Sequence, residues 1–397
     1  MKILLLTSGI LPDTHSGIAK VAYYTGRELC ESGHQVVVLT RRYKEHHAVT
    51  EEINGMHYYR IPYPDRWGVF HVTWPLVAAV KSWIWQKRIH RIHPDVDAVW
   101  ILNPWWTLLL NPRKLWPRAK LICQFYGNPY DEITANNGKT FKARLFARLY
   151  MAVSKQCMRL SHYVAMPSQF AYDDAVAMMG ANAQKKLVLI PHGVDVDCYR
   201  TASSEEKQDL KKKLQLPHDR PIFITARGLK RRTGVDKLIT AASLLKKEGF
   251  LFYLVVIGKG PMKEAIQQQI QALRLDDSVT LLSDLSEEKL AAYYRASDVF
   301  VLPTQAAEAF GLATIEAIAA GLVAFGTNNG ATPEILNRYQ PEWIIPGSDE
   351  KSIYHKMKEF CRDPQKFTIP YEDMKAITAK HYSWTSAAKK FAHTCSH

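Results

Sequence analysis

The chain has 397 residues, too many for one ordinary hydrophobic core, so two domains of roughly 150 to 200 residues are expected. Apolar residues make up 47% and charged residues 23%, a balance that excludes disorder as the default state. The formal charge of +14 is uneven: residues 1–190 carry 24 Lys and Arg against 13 Asp and Glu, the remainder 28 against 25, so an anionic partner is expected for the first half.

The chain opens with the apolar run Ile3 to Thr7, which reads as a buried strand; it is brief for a signal peptide and no small-residue cleavage site closes it. A loop containing Gly17 follows, then a helix with apolar positions Ile18, Val21, Ala22 and Leu29 ending at Gly33, then the strand Gln35 to Thr40. This is a βαβ unit of a parallel sheet. Further strands are predicted at 98–102, 120–125 and 164–166.

Between them lie two strings in which basic residues alternate with aromatics, Trp74 to Arg88 and Lys139 to Arg148. Such strings suit either a membrane interface or an ordinary surface helix with a packed aromatic face. The apolar run 69–86 is interrupted by His71, Thr73, Pro75, Lys81 and Ser82, too often for a bilayer span. No helix-turn-helix, zinc-finger or RNP-like string is present, so nucleic acid is not expected as the anionic partner. Six cysteines without metal-ligand spacing indicate a reducing cytosol rather than a disulfide framework.

The segment 187–221 reads as the change of domain, and a second βα series begins with the strand 221–225. It continues through a helix from Asp236 to Glu248 and strands at 250–257, 279–282, 299–302 and 322–326. Two successive βα series predict an α/β protein of two doubly wound Rossmann-like domains facing a cleft, residues 1–190 and 191–375, with a helix in 376–397 crossing back to the first.

Ligands in such sheets bind beyond the carboxyl ends of the strands. One of these ends carries Glu308-Ala-Phe-Gly-Leu-Ala-Thr-Ile-Glu316, where Gly311 opens a helix whose first N–H groups, around Phe310, Gly311 and Leu312, lack intrahelical partners. Glu316 leans toward the same helix mouth. Two carboxylates beside N–H donors suit a ligand rich in hydroxyls, such as a sugar; the plain alternative is a solvated loop residue and a helix-surface residue. Gly258-Lys-Gly260 follows another strand, and Arg227 to Gly234 puts a basic loop after a third.

The segment 308–316 resembles the E-x7-E segment of the retaining GT-B glycosyltransferases of family 4. The resemblance extends to Ser16-Gly17-Ile18 with Gly33-His34, to Ile190-Pro-His-Gly-Val-Asp195 and to Asn329-Gly-Ala-Thr-Pro-Glu334. It implies a metal-independent enzyme without a cofactor, which moves a sugar from a nucleotide-diphosphate donor to a glycan, lipid-linked or small-molecule acceptor. By the same resemblance Glu316 holds the ribose, Glu308 the donor sugar, the amides of Phe310 to Leu312 the sugar or phosphate, and Gly17 lies against the donor diphosphate; Gly258, taken from its strand-end position, is counted with the donor-binding residues, a plain turn being the alternative. The phosphate clamp departs from the family pattern: the usual Arg and Lys positions read Gly228 and Thr233, which leaves Arg227 and Arg232 as substitutes. Tyr126 stands where many relatives have a histidine, lining the acceptor side or packing, and Ala309 stands where glycine is common.

Asp95-Val-Asp97 and Asp195-Val-Asp197 precede a strand and lie in the linker, away from any expected phosphate site, so no metal is assigned to them. The histidines form no nucleophile motif and are expected at the surface or packed. An anionic membrane surface is a further expected partner, which puts the enzyme in the cytoplasm or at the inner face of the membrane. The alternatives are a same-fold epimerase or phosphorylase, or a non-catalytic protein that binds sugar nucleotides or membranes.

Overall fold

A computed structural model describes residues 1–62, 74–107, 111–138 and 140–396. Residues 69–73 of the interrupted apolar run, and Lys139 at the head of the second basic string, lie outside that set. The chain divides into two compact units, one of Met1–Tyr130, Leu145–His192 and Trp384–His397, the other of Asp131–Arg144 and Gly193–Ser383.

The first unit is built on β1 (Lys2–Leu6), β2 (Gln35–Arg41), β3 (Thr50–Ile53), β4 (Met56–Ile61), β5 (Ala98–Ile101), β6 (Lys120–Gln124), β7 (Tyr163–Met166) and β8 (Leu187–Leu189). Their order in the sheet is β3-β4-β2-β1-β5-β6-β7-β8, parallel throughout except for the β3–β4 pair. Ile3 to Leu6 and Val36 to Leu39 are buried, as a parallel sheet covered on both faces requires. The β3–β4 hairpin was not predicted; it turns through Asn54-Gly55, both with positive φ.

The loop between β1 and the helix Gly17–Glu31 is fastened by its neighbours. Tyr58 donates its hydroxyl to Leu11 O at 2.9 Å, and Tyr43 donates to Ser8 O at 3.0 Å. Below the loop Arg60 grips Asp13 through Nε at 2.6 Å and Nη2 at 2.9 Å, with both side chains 1% exposed. Its Nη1 reaches Glu51 at 2.7 Å and Ala48 O at 2.9 Å, so every donor on this buried guanidinium except the second Nη2 hydrogen has a named acceptor. Ser16 then caps the helix, accepting from Ala19 N at 3.2 Å.

In the second unit β9 (Ile222–Ala226), β10 (Tyr253–Ile257), β11 (Val279–Leu282), β12 (Val299–Leu302), β13 (Val323–Thr327) and β14 (Ile344–Ile345) form a parallel sheet in the order β11-β10-β9-β12-β13-β14. Aromatics such as Phe223, Phe325, Phe360 and Phe367 interlock edge to face behind it. The helix Tyr371–His381 belongs to this unit; the return to the first starts at Trp384, eight residues later than the predicted 376. Just before that point Val194 and Ser383 form a parallel bridge, with Val194 N donating to Tyr382 O at 3.0 Å. Within the first unit Trp384 stacks on Tyr24 at 5.4 Å, and Phe391 packs on Trp100 at 4.6 Å. Those aromatic anchors, rather than helix propensity, decide where the crossing element begins.

Candidate active site

At the carboxyl end of the second sheet, Arg227 follows β9, Gly258 follows β10, Thr304 comes two residues after β12, and Asn328 to Gly330 follow β13. The strands end side by side, so their loops are brought together by the sheet itself. Gly258 is needed for this: a Cβ there would lie 2.0 Å from Arg227 O, and one on Gly260 would lie 2.2 Å from Leu229 O. Gly330 answers the same need on the other side, where a Cβ would lie 2.3 Å from Glu308 O. Ala331 N also donates to Glu308 O at 2.8 Å, which fixes the backbone that carries Glu308.

Arg227 donates from Nη1 to Thr304 Oγ1 at 2.7 Å and from Nη2 to Glu308 Oε2 at 2.9 Å, and Thr304 Oγ1 donates to the same carboxylate oxygen at 3.0 Å. The pair is largely buried, at 8% and 14% side-chain exposure. Burial alone would raise the Glu308 carboxyl, but the charges of Arg227 and then Arg232 outweigh it and hold the group below its ordinary range. Burial pushes the Arg227 guanidinium down against the pull of Glu308, and arginine stays charged at neutral pH regardless. Arg232 donates from Nη1 to Ala307 O at 3.1 Å and pairs through Nη2 with Glu132 at 3.3 Å. Both arginines keep a buried Nε–H without a hydrogen-bond partner. Two guanidinium groups with unsatisfied donors are suited to an incoming polyanion.

Gly311, with φ +93°, caps the helix Leu312–Ala319, and Phe310 packs edge-on against Tyr382 at 5.8 Å. Leu312 packs against the core at the first helical position. Glu316 is 5% exposed, which corrects the alternative of a helix-surface residue. Its charge is felt by two buried phenols: Tyr199 and Tyr294 are held up first by burial and then by Glu316. Tyr199 donates to Glu287 at 2.6 Å, and the Tyr294 hydroxyl is buried without a partner.

The other two residues singled out from the sequence are in the first unit. Gly17 opens the helix Gly17–Glu31 and is exposed. Tyr126, two residues beyond β6, has a buried hydroxyl without a partner and a ring 6.0 Å from His192. Burial pushes the His192 imidazole down to about 3, so it is neutral, and it stacks on Trp384 at 6.1 Å. The two clamp positions that depart from the family pattern have local roles. Thr233 Oγ1 donates to Lys230 O at 2.6 Å and accepts from Lys230 N at 3.2 Å, and beside Gly228 the closest neighbour a Cβ would meet is Lys259 O at 3.8 Å. The first aspartate of each D-x-D string is engaged nearby, Asp95 with Lys2 at 2.7 Å and Asp195 with the amides of Asp197 and Cys198.

Thr304 and Glu132 were not anticipated. Thr304 sits just past Pro303 at a strand end, a position that the strand-end rule could have flagged. Glu132 lies on the helix Pro129–Asn137, which pairs with Arg232 only through tertiary structure.

Residues 206–381 match the model of the family described as Glycosyl transferases group 1, and residues 15–198 match that of Glycosyltransferase Family 4. Over 212 residues the chain is 24% identical to a GDP-mannose-dependent alpha-(1-6)-phosphatidylinositol monomannoside mannosyltransferase of Mycobacterium tuberculosis, covering 52% of this chain and 54% of that one. The chain thus spans about half the length of that relative. Among solved structures, sucrose-phosphate synthase from Thermosynechococcus elongatus aligns with a TM-score of 0.81 at 17% identity, over 99% of this chain and 97% of that one. HepE of Anabaena in complex with UDP and glucose gives 0.76 at 16%, over 100% and 99%.

Proposed function

Because the chain belongs to the glycosyl transferases group 1 family and carries its two-unit GT-B fold, we propose that it moves a sugar from a nucleotide-diphosphate donor to an acceptor hydroxyl, with retention at the anomeric carbon. The product is a glycolipid, polysaccharide or other glycoconjugate. The observation that carries this reading is the buried Arg227–Thr304–Glu308 network at the carboxyl end of the second sheet.

Glu316 takes the ribose hydroxyls, and Glu308, held ionised by Arg227, takes hydroxyls of the donor sugar. As the bond from the anomeric carbon to the diphosphate breaks, its electron pair stays on the diphosphate. Arg227, Arg232 and the amides of Phe310 to Leu312 meet that charge, and no metal is asked of the site. Positioned donors of this kind are worth roughly 3 to 4 kcal/mol each in a transition state. The acceptor hydroxyl attacks on the face the diphosphate leaves, through an oxocarbenium-like state, and its proton passes to the departing diphosphate oxygen as the new carbon–oxygen bond forms. Gly17 lies against the diphosphate and Gly258 against the donor; Tyr126 lines the acceptor side.

The partners are a nucleotide-sugar donor, a glycan, lipid-linked or small-molecule acceptor, and an anionic membrane surface. Among the described residues no helix is long and apolar enough to cross a membrane. The anionic membrane partner, rather than that absence, is what places the enzyme in the cytoplasm, peripheral at the inner face of the membrane, in this proposal.

Calorimetric titration with UDP, GDP, ADP and CDP, each with and without magnesium, tests the reading. GDP and UDP are the nucleotides named for the mannosyltransferase and for HepE. One nucleotide is expected to bind tightly and indifferently to magnesium, and Glu316→Ala is expected to weaken it by roughly 1.5 to 3 kcal/mol. Binding of none would overturn the donor site as drawn. In the same titration Glu132→Gln, which frees Arg232 from a partly exposed ion pair, is expected to tighten binding up to about fivefold, the yield of a pair worth about 1 kcal/mol or less. A weaker complex would show that Glu132 positions Arg232 instead of competing for it.

A further inference from the structure

We propose that the helices Trp74–Ile92 and Phe141–Leu160 form a docking face for an anionic lipid bilayer. This deepens the partner part of the function above by assigning it a surface.

The second helix turns Ala143, Ala147, Val153 and Cys157 inward, yet its outer side is not the usual polar one. Leu145 is 58% exposed and Leu149 48%, four residues apart on one stripe that runs back to Phe141. Lys142, Arg144 and Arg148 stand exposed among them, and the helix contains no acidic residue. The first helix repeats the pattern: Gln86 and Ile89 are buried, while Val80, Trp83 and Ile84 are exposed. Lys87 lies 4.0 Å above the Trp83 ring, and this helix too contains no Asp or Glu.

Both helices pack on the same short turn, Pro104–Thr107. Gln86 donates to Trp106 O at 3.1 Å, and Trp105 stacks on Phe146 at 6.2 Å. Leu145 and Leu149 on the one helix and Trp83 and Ile84 on the other are therefore carried by elements that share a support in the first unit.

The combination selects among occupants. A second copy of the chain seated here would oppose two helices that carry only positive charge. A soluble polyanion would answer the cations and leave the leucines and tryptophan in water. A bilayer interface with anionic headgroups answers both, since apolar side chains enter the acyl boundary while Lys and Arg reach the phosphates.

The test is co-sedimentation of the full chain with vesicles of phosphatidylcholine alone or mixed with phosphatidylglycerol. Binding to the mixed vesicles is expected to exceed binding to the neutral ones at least tenfold and to fall with salt. The double variant Leu145→Ser, Leu149→Ser is expected to lose at least tenfold of that binding while titrating with nucleoside diphosphate like the parent. Equal binding to both vesicles, or unchanged binding of the variant, would overturn the proposal. So would a dimer in sedimentation velocity that the same variant abolishes. Because neither leucine is part of the donor site, loss of nucleotide binding in the parent would count against the donor reading alone.

Discussion

Replacing Arg227 by Ala is expected to lower the transfer rate by about 10² to 10³-fold and to destabilise the second unit by about 3 to 5 kcal/mol. The rate loss is that of one positioned donor to a developing anion. The stability loss has a separate origin, because Glu308 stays buried while its main counter-charge is gone. The pH dependence separates the two. In the parent, Glu308 is held below its ordinary value of 4.5, so the unfolded chain binds more protons and stability falls as pH drops through that range. Without Arg227 the burial that opposes ionisation is less well offset, the folded carboxyl titrates higher, and protonation relieves the charge. The deficit of the variant, read from thermal unfolding, is therefore expected to shrink as pH falls from neutrality toward 4.5. A deficit independent of pH would show that Glu308 is not the group left uncompensated. Arg227→Lys keeps a charge but not the fork that spans Thr304 and Glu308, and is expected to recover part of the stability and little of the rate.

Arg60→Met is expected to cost the first unit about 3 to 5 kcal/mol, because it strands Asp13 in the interior. For a unit of this size that corresponds to a fall in melting temperature of roughly 10 °C. Asp13→Leu combined with Arg60→Met removes both charges and is expected to restore most of the loss. A double variant no better than the single would mean that the ion pair contributes net stability instead of mutual compensation. Under the role proposed for Gly17 the pair has a second consequence, since Asp13 lies in the loop that leads into Gly17. Loosening that loop is expected to weaken donor binding even where the unit stays folded, measured by the same nucleotide titration.

Most strands could be read from the sequence because parallel strands buried on both faces are continuous apolar runs. Val279–Leu282 and Val299–Leu302 have the predicted limits, and most of the others shift by a residue or two. The edge hairpin Thr50–Ile61 escaped because Thr50, Glu51 and Glu52 face solvent and carry no apolar alternation; only Asn54-Gly55 announces it. Glu308, Glu316 and Arg227 were identifiable from a motif and from strand ends. Their geometry was not, since Arg227 and Glu308 are 81 residues apart and meet only once β9 and β12 lie side by side. Glu316 could not be told from a surface residue by spacing alone, because its burial is set by tertiary structure, which also brings Tyr199 and Tyr294 within reach of its charge.

The stacking of Trp384 on Tyr24, and of Phe391 on Trp100, bears on how the chain is made. As it leaves the ribosome, the stretch from Gly193 to Ser383 is translated before the helix Trp384–Ser396 that covers part of the first unit. The first unit is thus completed only after the second, with Tyr24 and Trp100 lacking these partners until residues 384–396 are made. Contacts between positions this far apart in sequence close slowly, and apolar surface left open meanwhile invites association between nascent chains. A stalled or truncated product ending before Trp384 would leave its first unit without this cover, while both stretches of the second unit, Asp131–Arg144 and Gly193–Ser383, would already be present.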